Sequence, residues 1–564
     1  MNYIDRYTFW CNAGLPEDVM VELHSIENND EELKGRFGSD LQFGTAGMRG
    51  VMGVGSNRLN RYTVRRAAQG MAAWLNSTDL PKRAAIGYDS RHNSQLFAEV
   101  CAVAFAEAGI QTYLYDRLAP TPMLSYAVRE LNCGCGIVIS ASHNSGIYNG
   151  VKCYGPDGCQ LTDKPAAVVT AMIDKFPFFM PEQKDFASYC SDGIIKYIPD
   201  SLWQAYYSTV LAEAVAPEMV RSADLHVVYT PLCGTGNEPV RHILKELNVN
   251  VHIVSCQEMP DGDFKTCEYP NPETDAALNE SYKVAKEVPC DVILGTDPDA
   301  DRVAIAVPDG DGFKKLSGNE LGCLLLDYIL KARREKKDIP EGAIAVRSIV
   351  SSPLADRIAE NYGVTMKSVL TGFKYIGGEI LSLEEKGEAD RFIFGFEESC
   401  GYLKGTYARD KDAIVASMLV CELAASLKNE GRTILDALND LYKTYGIYLA
   451  YVQSLELTGA DAMEKAAKLM ADLRENIPSS IGGAEVTCVR DYQAREERNV
   501  CTGNITPILL PKSNVLEFIL GNSGSVIARP SGTEPKVKFY YTAVGHSTKE
   551  AEQLLQAMKE QMAI

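Results

Sequence analysis

Short runs of apolar and β-branched residues recur along the chain, and each breaks off into a polar, glycine-rich loop. Gly136–Ser140 (GIVIS) runs into ASHNSGIYNG. His226–Pro231 (HVVYTP) runs into LCGTGNEP and then a helical HILKEL. Asp291–Gly295 (DVILG) runs into TDPDADR, and Phe392–Phe396 (FIFGF) runs into EESCGY. Ala343–Val350 is followed by a helix-like PLADRIAENYG. Continuous apolar runs separated by helices predict βαβ units with buried parallel strands. Ligands of such sheets bind at the carboxyl ends of the strands, where these loops lie.

Two longer apolar stretches, Ala98–Ile110 and Ala413–Leu427, are cut by Glu99, Glu107 and Glu422. They read as buried helices, since a membrane span needs about 18 uninterrupted apolar residues. After Gly446 the pattern changes to a strand-like IYLAYVQSLEL, an amphipathic helix, further strands and a last helix over Lys549–Met562. That tail predicts an α+β domain. At about 150 residues per domain, 564 residues give about four domains. The polar stretch Ser191–Ser201, the PDGDG turn at Pro308–Gly312 and the change near Gly431–Gly446 place them at 1–202, 203–312, 313–443 and 444–564.

Composition narrows the function. With 75 Asp+Glu against 56 Lys+Arg, the formal charge is -19. A nucleic-acid binder needs a basic footprint, and an anionic membrane surface needs the same, so neither is expected as a partner. The first residues lack a basic segment followed by an apolar one, so no secretory signal is read and a cytoplasmic location is expected. Sixteen cysteines are too dilute for a disulfide scaffold, and several (Cys101, Cys323, Cys421) sit in apolar runs. The C-x-C pair Cys133 and Cys135 has no matching Cys/His pair and reads as structural. An anionic ligand would require this acidic chain to gather its cations locally.

Five loops could do chemistry. Ser142-His143-Asn144 follows a strand, which suits a nucleophile or a phosphorylated hydroxyl; a polar turn capping a helix is the alternative. Lys152 could return to neutralise phosphate or move a proton. Asp297, Asp299 and Asp301 alternate after a buried strand, and on an extended backbone they would point the same way. Three anions together call for a cation, and hard oxygen ligands suit Mg²⁺. An EF-hand is excluded, because its sixth position would be Arg302 and its twelfth Pro308. Glu397 and Ser399 could hold sugar hydroxyls or cap a helix, with Arg409–Asp412 downstream. Arg529-Pro530-Ser531-Gly532-Thr533, between two strands, offers a guanidinium fork, hydroxyls and backbone N–H groups to a phosphate; an unliganded hairpin is the alternative. Gly44–Gly50 reads as a glycine-rich loop presenting Arg49. No Walker A or dinucleotide fingerprint is present.

In this order GTAGMRG, SASHNSGIYNGVK, TDPDADR, GFEESCGY and RPSGTEP resemble the α-D-phosphohexomutase superfamily. TGFK (Thr371–Lys374) and PNPE (Pro270–Glu273) are most similar to its phosphoglucomutase/phosphopentomutase branch. The resemblance implies three α/β domains with mixed sheets and a C-terminal α+β domain around a central cleft, each giving one loop. It implies interconversion of α-D-glucose 1-phosphate and glucose 6-phosphate through a bound glucose 1,6-bisphosphate, which also primes the enzyme. Pentose or mannose phosphates are the alternative substrates, and a bisphosphate synthase or a non-catalytic sensor are further alternatives.

By the same resemblance, Ser142 carries the phosphoryl group and joins Asp297, Asp299 and Asp301 in holding one Mg²⁺. Arg49, His143 and Lys152 surround the transferring group, with His143 or Lys152 as general base. Thr371, Gly372, Glu397, Ser399, Lys411 and Arg302 contact the sugar phosphate, and Arg529, Ser531, Gly532 and Thr533 hold the non-reacting phosphate. Small-molecule sugar phosphates are the partners implied, with no obligatory protein partner. Where the family usually has T-A-S-H-N-P and D-G-D-G-D-R, this chain has S-A-S-H-N-S and D-P-D-A-D-R.

Overall fold

In a computed structural model of the chain, residues 1–44, 47–458, 462–531 and 536–562 are described. They form two compact units. The first comprises Met1–Ser317, Ile376–Phe394 and Ser399–Glu430; the second comprises Gly318–Tyr375, Gly395–Glu398 and Gly431–Ile564.

The first unit holds two mixed sheets. In one, Arg83–Tyr88, Gln111–Leu114, Cys135–Ile139 and Ile195–Tyr197 run parallel. Tyr148–Tyr154 joins them antiparallel and carries Gly47–Val51 at the edge. The central strand Cys135–Ile139 is buried throughout, as its unbroken apolar run requires. In the other sheet, His226–Thr230 pairs in parallel with Asn250–Ile253 and Val292–Thr296. Val303–Asp309 and Gly312–Lys315 extend it as antiparallel strands, so the PDGDG turn is the tip of a hairpin. The apolar stretches broken by glutamates are the buried helices Ser94–Glu107 and Ala413–Asn429. Among the described residues no helix is long and apolar enough to cross a membrane.

The second unit contains the parallel pair Ile344–Ser348 and Thr365–Val369 and a seven-stranded sheet whose strands all pair antiparallel. The helix Thr548–Met562 packs on that sheet and buries Ala551, Met558 and Met562. This is the α+β tail expected from the sequence. All 16 cysteines are free, with Cys133 and Cys135 in the interior.

Three local expectations change. Arg49 lies on a strand, paired with Gly150, rather than on a loop. Gly47 makes that pairing possible: its φ is 137°, and a Cβ there would lie 1.9 Å from the carbonyl oxygen of Val151. The Ser142 and Glu397 loops lead into the strands Tyr148–Tyr154 and Gly401–Leu403, so neither caps a helix. The aspartate run is a turn with Ala300 at φ 51°, not an extended segment. Helices over Tyr3–Cys11, Glu17–Ser25 and Asp30–Phe37 precede the first strand and carry no chemistry read from the sequence.

Candidate active site

In the first unit the strand Cys135–Ile139 delivers Ser142 to a buried position. Its φ is 53°, a left-handed conformation that costs an ordinary residue about 1–2 kcal/mol. Such strain persists where surrounding contacts over-determine it. Here the Ser142 amide donates to Ser140 Oγ at 2.8 Å, and its hydroxyl donates to Asp297 Oδ2 at 2.7 Å. His143 Nδ1 stands 3.2 Å from Ser142 Oγ. Arg49 Nη1 donates to Asn144 Oδ1 at 2.9 Å, tying the edge strand to the serine loop.

The aspartate turn follows the strand Val292–Thr296. The backbone folds back so that Asp297 Oδ1 accepts the amides of Asp301 and Arg302 at 3.1 and 3.0 Å. This turn, not an extended chain, brings the three carboxylates together: one oxygen of each lies within 4.8 Å of the others, and all three residues are buried. Burial and the charges of Asp299 and Asp301 push the Asp297 carboxyl well above its usual range. Burial works against the Asp299 carboxylate too, but Lys152 more than offsets it and holds that group well below the usual range.

Lys152 reaches the turn from the strand Tyr148–Tyr154, with Nζ 2.5 Å from Asp299 Oδ2 and 3.1 Å from Asp301 Oδ2. Lys411 Nζ approaches Asp301 Oδ2 at 3.2 Å and Asp410 Oδ1 at 2.9 Å. The charges therefore alternate from Asp410 through Lys411, Asp301 and Lys152 to Asp299. Lys411 needs a glycine beside it, since a Cβ at Gly401 would lie 2.2 Å from its Cδ. Burial opposes the Lys152 ammonium, yet Asp299 and Asp301 raise its pKa above the ordinary lysine value. Burial, then Arg302 and Arg49, push His143 well below the usual imidazole value, which keeps it neutral. Arg302 donates to Glu273 Oε1 at 2.5 Å, with its Nε 3.8 Å from Asp301 Oδ1.

The donor set fits a hard divalent cation. Asp299 Oδ1 and Asp301 Oδ1 are buried with no hydrogen-bond donor. An unmatched buried carboxylate oxygen is costly unless a cation meets it. Three carboxylates leave coordination positions open for water or a phosphate oxygen, as Mg²⁺ prefers.

The second unit holds a separate group. The Gly372 amide donates to Glu397 Oε1 at 2.7 Å, joining two residues singled out for the sugar. Thr371 Oγ1 is buried beside them without a hydrogen-bond partner. Glu398 Oε2 accepts from Ser348 Oγ at 3.0 Å. Arg529 lies on the strand Gly524–Pro530 opposite Lys538, and its guanidinium charge bears on the Tyr540 hydroxyl. The Ser531 amide donates to the Lys536 carbonyl at 2.8 Å, closing the two strands together. Gly532 and Thr533 lie outside the described residues. Ser399, in the first unit, occupies the turn before Gly401–Leu403.

Sequence reasoning missed three supports. Thr121 donates its hydroxyl to Asp299 Oδ2 and its amide to the Asp299 carbonyl, both at 2.9 Å. The Thr-Pro start of the helix Thr121–Glu130 was the available signal. Asp410, held by Tyr154 at 2.8 Å and Gln160 at 3.0 Å, orients Lys411. Arg91 binds the serine loop from behind.

Comparison with known proteins shows the family to which this fold belongs. Four family models match in succession: phosphoglucomutase/phosphomannomutase alpha/beta/alpha domain I over residues 40–178, domain II over 204–310, domain III over 317–445, and the C-terminal domain over 484–561. A Staphylococcus epidermidis protein named phosphoglucomutase is 37% identical over 533 residues, covering 94% of this chain and 95% of that one. Two solved structures share the fold. Parafusin, a phosphoglucomutase of Paramecium, has a TM-score of 0.67 at 16% identity, covering 93% of this chain and 94% of that one. A phosphoglucomutase/phosphomannomutase family protein of Burkholderia thailandensis has a TM-score of 0.65 at 17% identity, covering 93% and 98%. With its four domain matches in order and a close relative along nearly its whole length, the chain belongs to the phosphoglucomutase/phosphomannomutase family.

Proposed function

We propose that this protein is a phosphoglucomutase, interconverting α-D-glucose 1-phosphate and glucose 6-phosphate in the cytoplasm. The observation that carries the reading is the Ser142 hydroxyl, 2.7 Å from a buried carboxylate of a three-aspartate cluster, in a chain 37% identical to a protein of that name.

Ser142 carries the phosphoryl group. The free hydroxyl of the bound sugar phosphate attacks it, the Ser142 Oγ–P bond breaks, and a sugar bisphosphate forms. The bisphosphate reorients and returns its other phosphoryl group to Ser142. Glucose 1,6-bisphosphate added from outside primes an unphosphorylated chain by the same transfer.

Asp297, Asp299 and Asp301 would hold one Mg²⁺ with an oxygen of phosphorylated Ser142, supplying Lewis-acid charge where the transfer needs it. Of the two candidate bases, Lys152 already directs its ammonium at Asp299 and Asp301. His143 Nδ1 faces Ser142 Oγ at 3.2 Å, and we assign the proton-accepting role to it. Lys152 and Arg49 then offset charge on the transferring group.

In this reading Arg302 and Lys411 line the sugar-phosphate site. Thr371, Gly372, Glu397 and Ser399 take sugar hydroxyls, with the unpartnered Thr371 Oγ1 available for one. Arg529, Ser531, Gly532 and Thr533 hold whichever phosphate is not reacting. The four domains, taken as 1–202, 203–312, 313–443 and 444–564, each contribute one of these loops. Purified protein assayed with glucose, mannose and ribose 1-phosphates, with and without Mg²⁺ and glucose 1,6-bisphosphate, tests the reading. Highest kcat/KM on glucose 1-phosphate, dependent on both additions, is expected. Preference for ribose or mannose 1-phosphate would overturn the substrate assignment.

A further inference from the structure

Resting on that reading, we infer that Arg91 is a positioning residue for phosphoryl transfer. It sets the geometry of the phosphoacceptor serine without touching substrate.

Arg91 lies just past the strand Arg83–Tyr88, and its side chain is fully buried. Nη1 donates to the carbonyls of Ser145 and Tyr148 at 2.8 and 3.0 Å. Nη2 donates to the carbonyls of Ser142 and Asn144, both at 2.5 Å. The four Nη protons are thus matched by four carbonyls of the segment Ser142–Tyr148, leaving none for a ligand. Only a planar guanidinium fork meets four acceptors in this way; an ammonium has three rotatable donors.

The fork is itself held. Nε stands 3.2 Å from Asp89 Oδ2, and Asp89 Oδ1 accepts the Arg91 amide at 3.0 Å. The guanidinium carbon also lies over the Phe264 ring, 5.0 Å from its centroid. One of the four carbonyls belongs to Ser142, the residue at φ 53°. Releasing that carbonyl frees Ser142 to relax toward ordinary backbone angles, which swings Oγ away from Asp297 and His143. A displacement of about 1 Å at a reacting atom can cost about 100-fold in rate.

The chemistry gives a readout that depends on position alone. In productive transfer the Ser142 Oγ–P bond breaks as the sugar hydroxyl forms the new P–O bond. A misplaced phosphoserine loses that advantage, and water becomes the competing acceptor. The Oγ–P bond then breaks, inorganic phosphate leaves, and the Ser142 hydroxyl returns. The ratio of phosphate released to bisphosphate formed, measured per phosphoserine, does not change with the fraction of folded protein.

The test compares wild type, Arg91→Lys and Phe264→Ala in the full chain. Amide hydrogen exchange of peptides covering 140–150 is read beside that ratio. For Arg91→Lys we expect exchange at least ~10-fold faster in that loop alone, a kcat about 100-fold lower, and a ratio shifted at least ~10-fold toward hydrolysis. Phe264→Ala should shift the same quantities in the same direction by less. Unchanged loop exchange in Arg91→Lys overturns the inference, whatever the activity. An unchanged ratio with faster exchange overturns its catalytic part. A wild type inactive on every sugar phosphate overturns the mutase reading and with it the catalytic part, while loop exchange alone still decides whether Arg91 holds Ser142.

Discussion

Lys152 Nζ lies 2.5 Å from Asp299 Oδ2, an ion pair whose carboxylate is wholly buried and whose ammonium is nearly so. Breaking such a pair from one side leaves an uncompensated charge and costs about 3–5 kcal/mol. In metal-free protein Lys152→Met should therefore lower the Tm of the first unit. The three carboxylates, short of one cation, should then gain more from Mg²⁺ than they do in wild type. Thermal unfolding in chelator and in Mg²⁺ measures both. Equal Mg²⁺ shifts in the two proteins would count against the aspartates as the cation site.

His143 is assigned the proton transfer because its Nδ1 faces Ser142 Oγ. A general base contributes about 10²–10⁴-fold. His143→Gln should lose kcat in that range with KM nearly unchanged, since the sugar phosphate is gripped elsewhere. A kcat within about twofold of wild type would return the role to Lys152.

Arg529 emerges from the strand Gly524–Pro530 at the loop assigned to the non-reacting phosphate. A hydrogen bond to a charged group contributes about 1.5–3 kcal/mol, so Arg529→Ala should raise KM by about 10- to 150-fold. The rise should be similar for glucose 1-phosphate and glucose 6-phosphate, because one anchor serves both orientations. A change confined to one substrate would contradict a shared phosphate loop.

Glu422 offers a test away from the chemistry. It sits in the buried helix Ala413–Asn429 and accepts the amides of Val215 and Ala216 at 2.9–3.1 Å. Burial pushes its carboxyl up from 4.5 to about 7. The folded protein binds this proton more tightly than the unfolded chain. The associated stability is therefore full below about pH 4.5 and is lost as pH rises through about 7, a swing of about 3 kcal/mol. Glu422→Gln removes that titration, so its stability relative to wild type should rise between those pH values. Parallel pH profiles for the two proteins would contradict the shift.

Much of this was legible in the sequence because parallel sheets announce themselves. Five apolar runs became the strands Cys135–Ile139, His226–Thr230, Val292–Thr296, Ile344–Ser348 and Phe392–Glu397, with chemistry-bearing loops at the ends of three: Ser142, the aspartates and Glu397. The aspartates were legible by composition, but not the turn that aims them: the Asp297 carboxylate accepts the amides of Asp301 and Arg302, four and five residues on, whereas alternate spacing read as an extended chain. Arg49 was read as a loop residue because three glycines look like a loop, whereas Gly47 serves a strand pairing. Arg91, Thr121 and Asp410 were missed for a shared reason. Each depends on a group far away in sequence (Arg91 on the Ser142 carbonyl, Thr121 on Asp299, and Asp410 on the Tyr154 and Gln160 side chains that hold it against Lys411), and such partners become visible only when the chain is folded.

The central claim is that Ser142 carries the phosphoryl group through the reaction. The direct measurement treats the purified protein with glucose 1,6-bisphosphate, removes the sugar, and locates the added mass by intact and fragment mass spectrometry. One equivalent of glucose 1-phosphate is then supplied with Mg²⁺. The account predicts one phosphoryl group on Ser142, its transfer in a single turnover into glucose 6-phosphate, and its replacement on Ser142 by the phosphoryl group the substrate brought, the two told apart by isotopic labelling. A phosphoryl group on another residue, or sustained mutase turnover by Ser142→Ala, would contradict it.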